Sequence, residues 1–267
     1  MKMYKLWRIC VAIATTCYCQ QSFAFSHAPE YPQDYYEWSI AIISPSFYPV
    51  KVSESYGVYE KEDRTVLMHT FLGFFGATKL TGIRNMIPDY DGFGLPLLTD
   101  LARIHQIGEV KKLPDSIYIY WVSLYNQRFF ATKFDIPDSV KQRALVQTAR
   151  PYSPNVACYE NTLYFGLLPN GQAKVWQGGC DRFTFIEELT PATEQDKDIN
   201  GFGADVYIES YQEDIQQRAQ AEGVTLDPIP WDKLNRTFTY DRQKAMDAYL
   251  ERMKAKAHQP KAASSQP

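Results

Sequence analysis

The stretch Leu113–Pro137, LPDSIYIYWVSLYNQRFFATKFDIP, decides the reading of the fold. β-Branched and aromatic residues dominate Ile117–Leu124 and Phe129–Ile136, and such residues fit a pleated, packed surface. The polar run Tyr125–Arg128 between them reads as a turn, so the spacing predicts a β-hairpin. Side chains alternate across a strand. Ile117, Ile119, Trp121 and Ser123 therefore share one face of the first strand, and Tyr118, Tyr120, Val122 and Leu124 the other. Both faces are largely apolar, the pattern of an inner strand covered on both sides. On the second strand Phe130, Thr132, Phe134 and Ile136 oppose Phe129, Ala131, Lys133 and Asp135, which makes it the more solvent-facing partner. Pro114 and Pro137 bracket the unit at strand ends, where a missing N–H is tolerated. On this reading Trp121 and the tyrosines belong mostly to the core. A recognition site would then lie in loops: Tyr125, Asn126, Gln127 and Arg128 at the turn, the glycine-rich Phe71–Gly82, or the acidic Thr190–Gly203.

A second hairpin follows, Thr162–Leu168 and Gln172–Gly178. Its Leu168-Pro169-Asn170-Gly171 connection matches a type I turn followed by a left-handed glycine. Pairing Leu168 with Gln172 puts Cys180 opposite Glu160 and Cys158 opposite Arg182. The two cysteines then sit on a diagonal, about 7–8 Å apart, beyond ordinary disulfide reach. A bulge at Gly178-Gly179 would close the gap, so the disulfide stays open at this point.

Outward from the hairpins, Glu37–Ser44, Pro49–Val58, Thr65–Leu72 and Arg182–Leu189 read as further strands. Gly94–Gly108 reads as a helix, with Leu97, Leu98, Leu101, Ile104 and His105 on one face and Gly108 as its stop. Asp138 is a candidate N-cap for a short helix to about Thr148, with Val140, Ala144 and Leu145 inward. Asp205–Glu222 reads as a helix ended by Gly223, and a capping box at Ser210 and Glu213 offers Tyr211 as a later start. Asp241–Ala257 is a last helix with Met246, Tyr249, Leu250 and Met253 inward, and His258–Pro267 a disordered tail. The expected fold class is α+β: one domain over 25–257, an antiparallel sandwich or strongly curved sheet with C-terminal helices packed on it. Two sub-lobes split near Pro88–Pro114 are the alternative.

The N-terminus carries an address. A basic start, MKMYKLWR, precedes an apolar run from Ile9 to about Cys19 and a small-x-small site at Ser22-Phe23-Ala24. This is the layout of a secretory signal peptide, residues 1–24, cleaved after Ala24. A lipoprotein signal with Cys17 or Cys19 lipidated is the rival, although neither cysteine follows a good lipobox. The leader holds Lys2, Lys5 and Arg8 and no acid, so its removal takes the net charge from −3 to −6. That acidity argues against nucleic acid as a partner, and makes a membrane partner only if the protein is lipid-anchored. Three of the five cysteines leave with the leader, so Cys158 and Cys180 remain for an oxidising compartment.

Motifs for chemistry are scarce. The chain has no HExxH, no Cys/His cluster with zinc spacing and no GxSxG elbow, so no catalytic, cofactor-binding or metal residue is assigned. Asp89-Tyr90-Asp91-Gly92 looks like half a calcium loop, but the glycine comes too early and position twelve is Asp100. An Asx turn accounts for it. His69 and His105 read as structural. Asp115 and Asp232 are the carboxylates with most context, Asp232 as a turn cap, and Arg236 reads as a clamp on a carboxylate or a carbonyl.

A set of residues in order carries a resemblance. It comprises Trp38, Tyr48-Pro49-Val50, Leu113-Pro114 before Trp121-Val122-Ser123-Leu124, and Phe134 with Pro137. Gly166-Leu167, Pro169 and Gly171, Val175-Trp176, Pro230-Trp231-Asp232, Asn235-Arg236 and Phe238 complete it. Together they resemble the bacterial envelope family called domain of unknown function 2931. The resemblance implies an exported protein of Gram-negative bacteria, often a lipoprotein, with no established activity and no site residues to carry over. The expected function is an exported, non-catalytic protein that binds a protein partner or envelope component, an immunity-type inhibitor of a secreted toxin among them. A carboxylate-based hydrolase of an envelope polymer and a structural envelope component are the alternatives.

Overall fold

The computed structural model describes residues 31–32, 35–69, 80–98, 103–150, 153–208 and 211–257. The chain divides into two compact units, Met1–Pro32 and Gln33–Pro267, and every element below lies in the second. The leader with Cys17 and Cys19, His27, and the tail from His258 fall outside the described residues.

The first half forms β1 (Ser39–Ile43), β2 (Val50–Tyr59), β3 (Arg64–Leu67), α1 (Leu80–Met86), β4 (Leu95–Leu97), β5 (Arg103–His105), β6 (Ser116–Ser123) and β7 (Arg128–Asp135). The second forms α2 (Asp138–Ala144), β8 (Thr148–Arg150), β9 (Ser153–Cys158), β10 (Thr162–Leu167), β11 (Ala173–Gly179), β12 (Arg182–Leu189) and β13 (Thr193–Gln195). Then come α3 (Asp205–Ile208), α4 (Gln212–Ala221), α5 (Trp231–Leu234), β14 (Thr237–Thr239) and α6 (Arg242–Ala257).

Two five-stranded sheets form, in the orders β12-β11-β10-β1-β5 and β13-β7-β6-β2-β3. Their inner faces meet in a core of Trp38, Ile40, Ile42, Leu163, Phe165 and Val175 from the first sheet and Val52, Ile117, Ile119, Trp121, Phe130 and Phe134 from the second. This is a sandwich. The sheets join at one edge, where Met68 bridges to Gln106 and the His69 N–H donates to the His105 carbonyl at 2.8 Å. Pairing within the sheets is antiparallel except that β1 runs parallel to β10, Ser39 facing Thr162 through Ile43 facing Gly166. The other face of the first sheet is apolar too. Ala41, Ile43, Tyr164 and Trp176 pack there with Ile83 of α1, Ile215 and Ala219 of α4, and Leu234 of α5. The fold is therefore α+β, with C-terminal helices on an antiparallel-rich sandwich.

The opening hairpin is β6–β7, with β6 flanked by β2 and β7. Its register runs from Ser116 opposite Asp135 to Ser123 opposite Arg128. The loop is Leu124–Gln127, one residue earlier than the polar run indicates. Gln127 adopts the left-handed region at φ 60° and donates its N–H to the Ser123 carbonyl at 2.9 Å. Trp121 is buried and donates Nε1–H to Thr132 Oγ1 at 3.0 Å. The β10–β11 hairpin closes as its turn residues require, with Gly171 at φ 90° and its N–H on the Leu168 carbonyl.

Cys158 and Cys180 form a disulfide with Cα atoms 5.6 Å apart. The diagonal geometry does not arise, because neither cysteine lies in the ladder that the register assumed. β9 ends at Cys158 and pairs with β8, not with β11. Cys180 and Asp181 are the two central residues of the β11–β12 turn, both left-handed at φ 56° and 59°, as a two-residue hairpin requires. A Cβ at Gly179 would collide with the Tyr159 carbonyl, so only glycine lets the turn approach β9 closely.

Three expectations need correction. Gly94–Gly108 is not a helix over its described residues: Leu95–Leu97 and Arg103–His105 are strands, and Thr99–Ala102 are not described. Leu95, Leu97 and Leu98 are all buried, a run that suits a covered strand as well as a helix. Asp138 is the first helical residue of α2, Pro137 takes the cap position, and the helix ends before an exposed Leu145. Thr148 opens β8 instead. The glycine-rich Phe71–Gly82, a candidate recognition loop, lies outside the described residues up to Lys79, and Leu80–Gly82 open α1. Finally, α6 turns its apolar stripe outward. Met246, Tyr249, Leu250 and Met253 are exposed, and among its described side chains the small Ala245 is the buried one.

Candidate functional site

The outer face of the second sheet carries a cluster of tyrosines. Tyr56 of β2 lies opposite Tyr118 of β6 and opposite Leu67 of β3, while Tyr120 lies opposite Glu54. The Tyr56 and Tyr118 rings stack with centroids 5.3 Å apart and planes 21° apart. Tyr120 is 6.1 Å from Tyr56, and their hydroxyls are 3.3 Å apart. All three are half-buried. Lys133, opposite Tyr118 on β7, holds its ammonium 5.9 Å from that ring and pairs with Asp135 at 2.9 Å.

Local backbone makes this grouping. The β2–β6 register slips between Val52 and Glu54, so Ser53 is an extra residue, and its hydroxyl donates to the Tyr120 carbonyl at 3.1 Å. The bulge puts Lys51 on the same face as Glu54 and Tyr56. Strict alternation along Val50–Tyr59 would set Lys51 against Tyr56, and nothing in the residue types there announces the slip.

The hydrogen-bonding groups are fixed. Burial, and then the hydrogen bond with Tyr120, push the Tyr56 hydroxyl well above the ordinary tyrosine range. It stays a neutral donor and acceptor at any physiological pH. The Tyr56 and Tyr118 rings cover one flat face of each other, and the Tyr56 and Tyr120 hydroxyls meet beside them. Such a surface combines apolar ring area with hydrogen-bonding tips, which suits the mixed contacts of a protein partner.

The far end of the same face is covered. Val122, Leu124 and Phe129 pack with Tyr207 of α3. Tyr207 donates its hydroxyl to Asp198 Oδ2, and Asp198 Oδ1 accepts the N–H groups of Asn200 at 2.8 Å and Phe202 at 2.7 Å. Burial alone would raise the Asp198 carboxyl, but these donors outweigh it and hold the group below the usual aspartate value. Tyr207 is pushed up to about 12 by burial and by that carboxylate. Lys51 lies over the Tyr207 ring at 4.4 Å, with its pKa lowered by burial against the pull of Asp198.

The loop residues singled out by sequence hold structure together. Tyr125 packs edge-on against Tyr48 at 4.8 Å, and Asn126 donates to the Pro169 carbonyl at 2.6 Å. Arg128 makes two 2.6 Å hydrogen bonds to Glu194 of β13. Gln127 is exposed at the tip. In the other acidic loop, Thr190–Gly203, residues 193–195 form an edge strand on β7.

The remaining candidates are scattered. Asp115 accepts Lys141 Nζ at 2.6 Å and the Glu60 N–H at 2.9 Å, and Asp232 sits in the first turn of α5. His105 Nδ1 lies 4.0 Å from a Glu37 oxygen. Asp91 makes the Asx turn through the N–H of Phe93 at 2.9 Å, and its other oxygen pairs with Arg236. Arg236 also accepts the Leu95 N–H on its carbonyl at 2.8 Å, tying the C-terminal segment to β4. Among the described residues no three His, Cys, Asp or Glu side chains group as a metal site. No described helix is long and apolar enough to cross a membrane.

"Protein of unknown function (DUF2931)" matches residues 26–232, most of the chain. The chain belongs to the DUF2931 family. The matched span takes in both sheets and the tyrosine face, and the DUF2931 match ends inside α5, ahead of β14 and α6. No curated protein and no solved structure matches the chain.

Proposed function

We propose that this DUF2931 protein is an exported, non-catalytic binding protein that engages a protein partner through its tyrosine face. The observation that carries the reading is the trio Tyr56, Tyr118 and Tyr120, gathered by a bulge on the outer face of a rigid sheet and rimmed by Glu54, Lys133 and Asp135. Tyrosine supplies apolar area at low entropic cost and keeps a polar tip, which suits interface centres. Export is supported by the leader layout of Met1–Ala24 and by the Cys158–Cys180 disulfide, a bond that persists in oxidising compartments. An immunity-type inhibitor of a secreted toxin falls within this class.

Two measurements test the reading. The mass of the mature protein from its native host should correspond to an N-terminus at Phe25. A heavier, acylated species starting at Cys17 or Cys19 would instead mean lipid anchoring. Affinity capture from native envelope extract should recover a partner with the wild type and with a Tyr36→Ser control, and lose it with Tyr118→Ser/Tyr120→Ser. A partner kept by the double variant, or none at all, would sink the assignment. One observation favours a hydrolase instead, the buried carboxyl of Glu160, whose pKa burial raises despite Arg143 and Arg182. Release of fragments from isolated envelope polymer, abolished in Glu160→Gln, would decide for that reading.

A further inference from the structure

The sequence places Met246, Tyr249, Leu250 and Met253 on the inner face of the last helix; the structure places them outside. They occupy i, i+3, i+4 and i+7 of α6, one continuous stripe, and are 45%, 50%, 48% and 48% exposed. Met86 of α1, 42% exposed, extends the stripe sideways. Contiguous apolar surface of this kind marks a docking site.

The charge around the stripe identifies what covers it. Met86, Met246, Tyr249 and Met253 line a groove of about 590 Å³ to which, among the described residues, Arg242 and Arg252 bring the charge. The helix carries Arg242, Lys244, Arg252, Lys254 and Lys256 against Asp247 and Glu251. Lys244 pairs with Asp89 and Lys254 with Glu251, each at 2.8 Å, and among the described residues the groove's lining holds no acid. An isologous dimer would set this patch against itself, arginine facing arginine. The groove is open and shallow, and Leu250 stands beside it half-exposed, so a broad surface covers the stripe better than a single inserted side chain does. We propose that α6 rests on the surface of a bilayer containing anionic phospholipid, with the stripe in the headgroup boundary and the arginine stems reaching up to the phosphates. The net acidity of the chain does not oppose this, because charges beyond about 8 Å are screened at physiological salt. Four side chains are too little for a permanent anchor, so the contact is weak and reversible.

Co-sedimentation of the mature chain with vesicles of phosphatidylglycerol and phosphatidylethanolamine tests the inference, and phosphatidylcholine vesicles provide the comparison. The expected result is binding to the anionic vesicles that falls at 0.5 M NaCl, and by about fivefold or more in Arg252→Glu. Leu250→Glu should abolish it. Both side chains are exposed, so the variants should melt like the wild type and still pass the partner-capture test on the tyrosine face. The inference is overturned by an absence of binding, by equal binding to phosphatidylcholine, or by binding that survives Leu250→Glu. A concentration-dependent doubling of mass that Leu250→Glu removes would also overturn it, and assign the stripe to a second copy of the chain.

Discussion

Single residues carry the clearest pH signatures. Glu160 is buried with one carboxyl oxygen lacking a hydrogen-bond partner, beside Gln177, which donates to the carbonyls of Val140 and of Glu160 itself. Its folded pKa lies above the ordinary 4.5. The folded state then binds the proton more tightly than the unfolded chain, so ionised Glu160 costs stability above that pH and the cost fades as pH falls. Glu160→Gln should therefore raise the melting temperature at pH 7 and converge with the wild type below pH 4.5, as scanning calorimetry across pH would show. Asp198 is the mirror case. Its pKa is depressed below 3.8, so its contribution is full above that value and lost as pH falls through the folded pKa. Asp198→Asn should cost about 1.5–3 kcal/mol at pH 7, the range for hydrogen bonds to a charged group, and should speed amide exchange at Asn200 and Phe202. Neither role was legible beforehand. Glu160 gains its burial from the break between β9 and β10, and Asp198 its donors from a loop with no periodic pattern.

At the level of elements, alternation along β6 separates scaffold from surface. Trp121 faces the sandwich core and Tyr118 faces out, so chemical denaturation should find Trp121→Ala costing about 3–5 kcal/mol. Tyr118→Ala should cost about 1 kcal/mol, the scale of one aromatic pair. Similar losses at the two positions would mean that the outer face is covered. Replacing Cys158 and Cys180 together by serine removes a link across a separation of 22 residues. That should lower stability by about 3 kcal/mol in urea titrations. Both hairpins could be read from sequence because turn chemistry and period-2 alternation are local. The tyrosine face could not, since it depends on a bulge at Ser53 and on a partner strand far along the chain, where Ser53 meets Tyr120 across 67 residues. Leu95–Leu98 misled for the opposite reason. Four buried positions in a row satisfy a helical face, yet Leu95–Leu97 pairs in parallel with β14, far along the chain.

The unit Gln33–Pro267 is a sandwich with α1, α4 and α5 on the outer face of one sheet and α3 on that of the other, and α6 adds little to either core. It buries Ala245 and ties Lys244 to Asp89. A chain ended after Tyr240 should keep its fold and lose less than about 5 °C in melting temperature, whereas a large loss would make α6 part of the core. Class and layering followed from composition and alternation, while the strand order did not. That order rests on β1, whose mate is β10 and not a neighbour in sequence. Ser39 and Thr162 join hydroxyls across 123 residues, so the first strand made is among the last to be completed. Until Thr162–Leu167 appears, Ser39–Ile43 has an apolar face and an open edge with nothing to close them. Long-range pairing of this kind slows folding and leaves sticky intermediates. The chain should therefore refold slowly, in milliseconds to seconds, and depend on a holding chaperone while its first strand waits.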